Sequence, residues 1–122
     1  MALFDKNDSA ELVVLSLLGE GQNYGYLLSK EAAARTDGQL RLTPGVLYPL
    51  LKQLERDGLI SSSWEEVKAE RAEPDDAGRR RKWYRLSAKG RKRLEQRVEA
   101  HKAYTTLIAA FVGAPKRAKE GP

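Results

Sequence analysis

The sequence predicts a mainly α-helical fold that carries a small β-hairpin. Three observations predict this class. Residues 43–58 have the pattern of a two-sided helix, two strand-like segments with a polar loop between them come next, and a helical pattern then continues to about residue 112. This order is typical of a winged helix-turn-helix with a long C-terminal helix, and 122 residues suffice for one such core.

The helix predicted from Thr43 has clear start and stop signals. Thr43 can accept hydrogen bonds from the first free N–H groups, Pro44 has its φ preset for the first helical position, and Gly58 can adopt the left-handed conformation that ends the helix. Pro49 lies inside it and removes one backbone hydrogen bond at a cost of about 3 kcal/mol, so it marks either a kink for packing or a functional surface. The apolar side holds Leu47, Leu50, Leu51 and Leu54.

Two further helices are predicted before this one. Ser9 can cap a helix that ends after Leu18, and this helix is apolar nearly all round, so we expect its own core to cover one side and a partner subunit the other. Asn23 can cap a second helix over residues 24–35. Residues 40–42 alternate between apolar and polar side chains as a short strand would.

The hairpin is predicted from strands over residues 59–67 and 82–86, with residues 68–78 as a long polar tip. We expect the aromatic side chains of these strands to pack, with Trp83 on the opposite face from Tyr84 and Trp64 in a cross-strand pair. For Trp83, contact with DNA or an effector is the alternative to packing.

Ser87 opens the final helix, and an apolar seam with alternating steps of four and three runs along it, as in paired helices. The seam consists of Leu94, Val98, His101, Thr105, Ile108 and Val112. Because two of these residues are polar, we predict a mixed dimer interface that includes Leu12 and Leu15 of the first helix. Residues 114–122 are predicted to be a disordered tail.

The charge of the chain is unevenly distributed. Lys and Arg number 22 against 17 Asp and Glu, which gives a net charge of +5 and a pI near 9.6. Nine basic residues and no acidic ones lie between Arg79 and Arg93, after an acidic run over residues 65–76. A solvated charged surface is the ordinary explanation, but this segregation favours a polyanionic partner.

Composition argues against several other classes. With no cysteine there is no disulfide or thiolate zinc site, and with His101 as the only histidine and no paired carboxylates an enzyme is not expected. No metal or cofactor is predicted. The sequence also lacks an apolar run of transmembrane length and a signal peptide, so we expect a cytoplasmic protein without a membrane partner.

Several segments of the chain carry a family resemblance. They are Gly25-Tyr26, Leu42-Thr43-Pro44-Gly45-Val46-Leu47-Tyr48-Pro49-Leu50-Leu51, Leu54-Glu55, Gly58-Leu59-Ile60, and Lys82-Trp83-Tyr84-Arg85-Leu86-Ser87 followed by Gly90. With these, the chain resembles the PadR family of bacterial transcriptional regulators, in a short form with one C-terminal dimerisation helix. The resemblance implies a homodimer that binds double-stranded DNA, most often as a repressor released by an unidentified small-molecule effector.

On this basis residues 1–86 are expected to form the DNA-binding domain and residues 87–113 the dimerisation helix. The predicted base contacts are Tyr48, Lys52 and Gln53, and the predicted phosphate contacts are Arg41, Thr43, Gly45 and Arg56. The wing is expected to reach the backbone or a minor groove through Arg79, Arg80, Arg81 and Lys82. A winged-helix module that binds an acidic protein is the competing hypothesis, and RNA binding is a third.

Overall fold

A computed structural model describes residues 6–74 and 76–113, and within these ranges the chain forms four α-helices and one three-stranded antiparallel sheet. The helices are α1 (Lys6–Gly19), α2 (Gly25–Ala34), α3 (Pro44–Arg56) and α4 (Ala88–Ala109). The strands are β1 (Asn23–Tyr24), β2 (Ile60–Glu66) and β3 (Arg80–Leu86), in the order β1-β3-β2. A winged helix-turn-helix with a long last helix is therefore confirmed.

The core lies between the three N-terminal helices and the base of the hairpin. α1 crosses the middle of this core and contacts all three other helices and β3. The side chains that are fully enclosed are Val14, Leu15, Leu18, Leu28, Leu47, Leu51 and Leu59. Because Leu15 is fully buried within its own protomer, its predicted place in a dimer interface is wrong, whereas Leu12 is half-buried and still presents some surface.

The third strand is not the one that the sequence pattern predicted. Residues 40–42 do not form a strand, because the Leu42 carbonyl accepts a hydrogen bond from the Ser29 hydroxyl (2.9 Å) and the Leu40 N–H donates to the Thr36 hydroxyl. Instead Asn23 and Tyr24 pair with β3. A two-residue strand leaves no readable alternation in the sequence, so this pairing depends on tertiary contact.

The predicted helix starts were partly wrong. α1 begins at Lys6, so Ser9 lies inside the helix and does not cap it. The residue that precedes α2 is Tyr24 and not Asn23, whose side-chain amide donates instead to the Glu31 carboxylate (3.0 Å). Thr43 does precede α3, but its backbone carbonyl, not its hydroxyl, accepts from Val46 and Leu47. Only the Ser87 hydroxyl caps as expected, by accepting from the Gly90 N–H at 3.0 Å.

The end of α3 follows the prediction closely. Gly58 has φ +74°, its N–H donates to Glu55, and the Leu59 N–H donates to Leu54 at 2.9 Å. This double closure directs the chain from α3 straight into β2. The hairpin that follows differs from the prediction in its details. β2 is one residue shorter at each end, β3 begins two residues earlier at Arg80, and the tip contains a short 3-10 turn over Ala69–Arg71.

α4 starts at the base of the hairpin and its first half runs along α1. Its first turn packs against the start of β2, where the Ser87 N–H donates to the Leu59 carbonyl and the Ser87 hydroxyl to Gly58. Arg93 and Arg97 then pair with Glu11 of α1. The helix ends at Ala109, so Val112 lies beyond it, and the predicted disordered tail lies outside the described residues.

The first turn of α4 gives a test of this packing. A Cβ on Gly90 would lie 1.9 Å from the Leu59 carbonyl oxygen, so Gly90→Ala must push α4 away from β2 and should destabilise the fold by about 1 to 3 kcal/mol. Thermal and urea unfolding would measure the loss. Gly45→Ala is the matched control, because no atom lies within 4 Å of its Cβ, and the change in α3 should be neutral or stabilising. Equal stability of the two variants would contradict this packing.

Candidate nucleic-acid interface

The outward side of α3 is set by the burial of its leucines. Leu47, Leu51 and Leu54 lie in the core, so Lys52 and Arg56 project from the opposite side and are exposed. Neither cation forms an ion pair with a carboxylate among the described residues. This surface therefore presents two basic side chains whose charge is available to a ligand.

The other predicted contacts near α3 differ in availability. The Gln53 amide donates to Asp57 (2.9 Å) and its carbonyl oxygen accepts from Arg56 (3.5 Å), so Gln53 is already engaged along its own helix. Arg41 is exposed in the preceding loop and its Nε donates to the Gly38 carbonyl (3.1 Å). Gly45 faces open space beside Thr43 at the N-terminus of α3, where an anion would be favoured.

Tyr48 is tied to the protein on one side. A Cβ at Gly25 would lie 2.7 Å from the Tyr48 hydroxyl oxygen, so only glycine allows the ring this close to the start of α2. The ring also lines a cavity of about 40 Å³, together with Tyr24, Tyr84 and Asp76, which is room for little more than water. Tyr48 is nevertheless 37% exposed, which leaves its outer edge available to a partner.

Glu55 joins α3 to the hairpin. Its carboxylate accepts a hydrogen bond from the Ser62 hydroxyl of β2 and forms an ion pair with Lys82 of β3 at 3.3 Å. The hydrogen bond from Ser62 lowers the pKa of Glu55, against a smaller raising by burial, and Lys82 lowers this pKa further. One carboxylate of α3 therefore contacts both strands of the wing.

The Arg81 side chain points into the protein, which contradicts its predicted contact with DNA. It forms an ion pair with Asp76 at 3.1 Å, in which the two side chains are only 11% and 3% exposed. The guanidinium also donates to the Arg71 carbonyl and lies 4.1 Å from the centre of the Tyr24 ring. The sequence pattern grouped Arg81 with its exposed basic neighbours, because its ion-pair partner Asp76 lies five residues earlier, in the acidic segment of the tip.

Asp76 holds the loop of the wing as well as Arg81. Its carboxylate accepts from the Glu73 N–H at 2.8 Å, and Glu73 in turn accepts from the Tyr24 hydroxyl at 3.3 Å. Burial by itself would raise the pKa of Asp76, but the hydrogen bonds from Arg81 and Glu73 and the charge of Arg81 together lower it. We call Asp76, Arg81, Glu73 and Tyr24 the wing latch.

The remaining basic residues of the wing lie on its surface. Arg79 and Arg80 are exposed, whereas Lys82 is half-buried beside Glu55. The register places Glu66 opposite Arg80 and Glu65 opposite Arg81. The acidic run and the basic run therefore face each other across the hairpin, and part of the positive charge predicted for DNA is balanced within the wing itself.

One of the three aromatic residues of the wing, Trp64, departs from its prediction. Tyr84 is buried, and Trp83 packs edge-on against Tyr24 with ring centres 4.9 Å apart, as expected. Trp64 was expected to pack in the same way, but it is 50% exposed. The Arg80 guanidinium lies 4.4 Å from the centre of its ring. The expected packing of Trp64 in a cross-strand aromatic pair is therefore wrong, because its cross-strand neighbours are the cations Lys82 and Arg80.

The predicted dimer seam is divided along α4. Leu94 packs against the protomer's own core, Val98 and Ile108 are half-buried, and His101 and Thr105 are exposed. The largest exposed apolar side chains beyond them are Leu107 (62% exposed) and Phe111 (77% exposed), which the seam pattern had left out. Leu107 lies in the last turn of α4, and Phe111 follows the end of the helix, where its N–H donates to the Ile108 carbonyl at 2.9 Å. Their apolar side chains next to the predicted seam were a readable signal.

A family model for the "Transcriptional regulator PadR-like family" matches residues 14–96, which is more than half of the chain and includes α3, the wing and the first part of α4. The chain belongs to the PadR-like family. This membership supports a transcriptional regulator with a DNA-binding winged helix, and the arrangement of α3 and the wing described above agrees with it. Within the described residues, no helix is long and apolar enough to cross a membrane.

Solved structures of similar proteins have the same fold. A transcriptional regulator from Clostridium thermocellum is 30% identical, covers 86% of this chain and 94% of its own, and has a TM-score of 0.72. A PadR family transcription regulator from Clostridium difficile is 25% identical, covers 84% of this chain and 96% of its own, and has a TM-score of 0.64. An uncharacterized protein of Lysinibacillus sphaericus is 27% identical over 82% of this chain and 84% of its own length.

The wing latch can be tested by removing its cation. Arg81→Gln leaves the Asp76 carboxylate enclosed without its ion pair, so the tip should open locally at a cost of about 1 to 3 kcal/mol. Hydrogen exchange and limited proteolysis over residues 68–79 would report the opening. Arg79→Gln, at an exposed site of the same charge, is the control and should leave the tip protected.

The latch should also respond to acid. The folded pKa of Asp76 lies below its ordinary value of 3.8, so its stabilisation is fully present above that value and is lost as the pH falls through the lowered pKa. Tip exchange rates that are unaffected by both the substitution and acid would show that the loop does not depend on this pair.

Proposed function

We propose that this PadR-family protein binds a two-fold symmetric DNA operator as a homodimer, with one α3 in each of two major grooves. The outward pair of Lys52 and Arg56 on α3 is the observation that supports this most directly, since the leucines behind them fix their direction. The wing would lie against flanking backbone through Arg79 and Arg80. Repression, and release by a small-molecule effector, stay predictions of the family resemblance.

Selection of bound sequences from random duplex DNA tests the proposal. A homodimer should enrich an inverted repeat whose half-sites lie about one helical turn apart, because both reading helices must meet the same side of the duplex. A single enriched half-site would contradict the dimer. No enrichment, together with binding to acidic proteins, would favour the competing function as a protein-binding module.

One observation favours that competing function. Val46 and Tyr48 of α3 are both exposed, and such side chains can serve a protein partner. However, they are two residues apart on a helix, so they do not form one continuous patch. Lys52 and Arg56 lie between Val46 and Tyr48 on the outward side of α3, so this surface is basic at its centre and fits a nucleic acid better than an apolar protein surface.

Substitutions in α3 can separate base contacts from phosphate contacts. If Lys52 contacts a base edge, Lys52→Ala should cost about 1 to 3 kcal/mol on the selected operator and much less on random DNA. Arg56→Gln is the contrast, because loss of a phosphate contact should weaken both and reduce the slope of log affinity against log salt by about one. If Lys52→Ala loses the same binding free energy on the selected operator and on random DNA, Lys52 does not contact a base edge.

The dimer would form through α4 and the exposed side of α1. Leu107 and Phe111 are the strongest candidates, since an isolated protomer would leave both in water, and the half-buried Ile108 lies next to Leu107 in the chain. Two such helices around a two-fold axis would bury the same side chains on both subunits. Leu12 is the surface of α1 that remains for this contact.

We expect the double change Leu107→Glu and Phe111→Glu to convert the dimer to a monomer, because like charges would meet near the axis at a cost of several kcal/mol. Sedimentation would measure the monomer fraction. Both side chains lie outside the core, so the helix content and the melting of the protomer should be retained. Lys102→Glu together with Glu99→Lys, which keeps the charge on exposed sites of α4, is the control. If the double variant stays dimeric, Leu107 and Phe111 do not form the dimer interface, and α1 would be its main element.

A further inference from the structure

The exposed side chain of Trp64 lies on the side of the wing that faces α3. Ile60, Ser62 and Trp64 alternate onto one face of β2, and Ser62 of that set donates to Glu55 of α3. Trp64 therefore lies one pleat further from the core than the contact that joins wing and helix. On α3, Lys52 lies one turn before Glu55. The base-reading surface proposed above and Trp64 are thus neighbours on one side of the molecule.

Two cations lie over the Trp64 ring. The Arg80 guanidinium is 4.4 Å from the ring centre and the Lys82 ammonium 5.8 Å, and the register shows that Lys82 is the direct and Arg80 the diagonal neighbour across the strands. Lys82 is also paired with Glu55, whereas among the described residues the Arg80 side chain forms no ion pair within 4.0 Å. The Arg80 guanidinium is therefore held on an aromatic surface and, within the part of the chain described, not in an ion pair, although Glu66 is its register partner.

Stacking on an indole suits a guanidinium that must bind an anion. The cation is attracted to the ring through its flat face, while its N–H groups point outward in the plane and can still donate to two oxygens at once. A long side chain held in this way also loses less conformational freedom when it binds. Arg79, which has no such support in the described structure, lacks this advantage.

We propose that Trp64 is a positioning residue for DNA binding, which holds the Arg80 guanidinium against the phosphate backbone that flanks the groove occupied by α3. The inference rests on the proposed function, because it assigns the partner of this pair as duplex DNA. We assign DNA and not an acidic protein as the occupant because the pair lies beside Lys82, which joins the wing to α3 through Glu55, and α3 carries the proposed DNA contacts Lys52 and Arg56. The phosphate contact carries no base information, so its effect is on affinity.

Fluorescence can test whether DNA covers the site. Trp64 is half-exposed and Trp83 is packed against Tyr24, so quenching by the neutral molecule acrylamide should report mainly Trp64. We expect saturating duplex DNA to protect this emission in the parent protein, and Trp64→Phe to lack the protected component. Saturation is followed independently by the anisotropy of a labelled duplex. Binding with unchanged quenching would overturn the role of Trp64 and leave the proposed function intact, whereas no binding of any duplex would overturn both.

Affinity measurements can test whether Trp64 acts through Arg80. Trp64→Leu should weaken binding roughly five- to tenfold on selected and random duplexes alike, and Trp64→Phe should recover part of the loss because a phenyl ring still attracts the cation. Arg80→Gln should lower the salt slope by about one. The double variant should lose less than the product of the two single losses, since both remove the same contact. Independent, multiplicative losses would overturn the proposal.

The matched control removes the same charge from the other face of β3. Arg85 is exposed, its register partner is Ser61, and it lies away from the Trp64 side. Arg85→Gln should therefore weaken binding less than Arg80→Gln and should show no coupling with Trp64→Leu. All variants change exposed or half-exposed positions, so circular dichroism and melting should match the parent. If Arg80→Gln and Arg85→Gln reduce the affinity for DNA equally, net charge alone explains the effect, and the proposal that Trp64 positions Arg80 is wrong.

Discussion

The burial of the leucine side of α3 is the constraint on which the rest of the structure depends. Leu47, Leu51 and Leu54 pack into a core whose other walls are α1, α2 and the base of the hairpin. Once that side is fixed, the direction of Lys52 and Arg56 is fixed as well, because opposite sides of one helix cannot turn independently. The glycine closure after α3 then determines where the wing starts, and the N-terminus of α4 completes the arrangement by packing on that same point.

The charges of the wing divide into structural and available groups. Arg81 and Lys82 are held by Asp76 and Glu55, and they keep the tip and the helix in position. Arg79 and Arg80 remain on the surface and carry the charge that a polyanion can meet. Two of these four consecutive basic residues are therefore structural and two are exposed to a ligand, and the ion pairs with Asp76 and Glu55 determine which two are structural. Charge counting alone overestimates the surface available to DNA, since a buried ion pair contributes little field outside.

The PadR-like membership and the geometry support each other at different levels. The family match covers the helices and the wing, and solved relatives at 25% and 30% identity have the same fold over most of their lengths. What the relatives share is the arrangement of elements. The pairing of Trp64 with Arg80, the wing latch and the exposed Leu107 and Phe111 are features of this chain's own residues, and they are where its binding surfaces can be tested individually.

The class of fold, the limits of α3, the capping of α4 and the two-stranded wing could all be predicted from the sequence, because each depends on interactions within a few residues or on a repeating apolar pattern. Tertiary structure alone decided the strand at Asn23 and Tyr24, the burial of Leu15, and which wing cations remain free. These depend on partners far along the chain: β1 needs β3, and the burial of Leu15 needs the elements that pack around α1. Arg81 and Trp64 show the reason most directly. Their types and alternation were readable, but whether a side chain is covered depends on a neighbour that only the folded chain brings within reach.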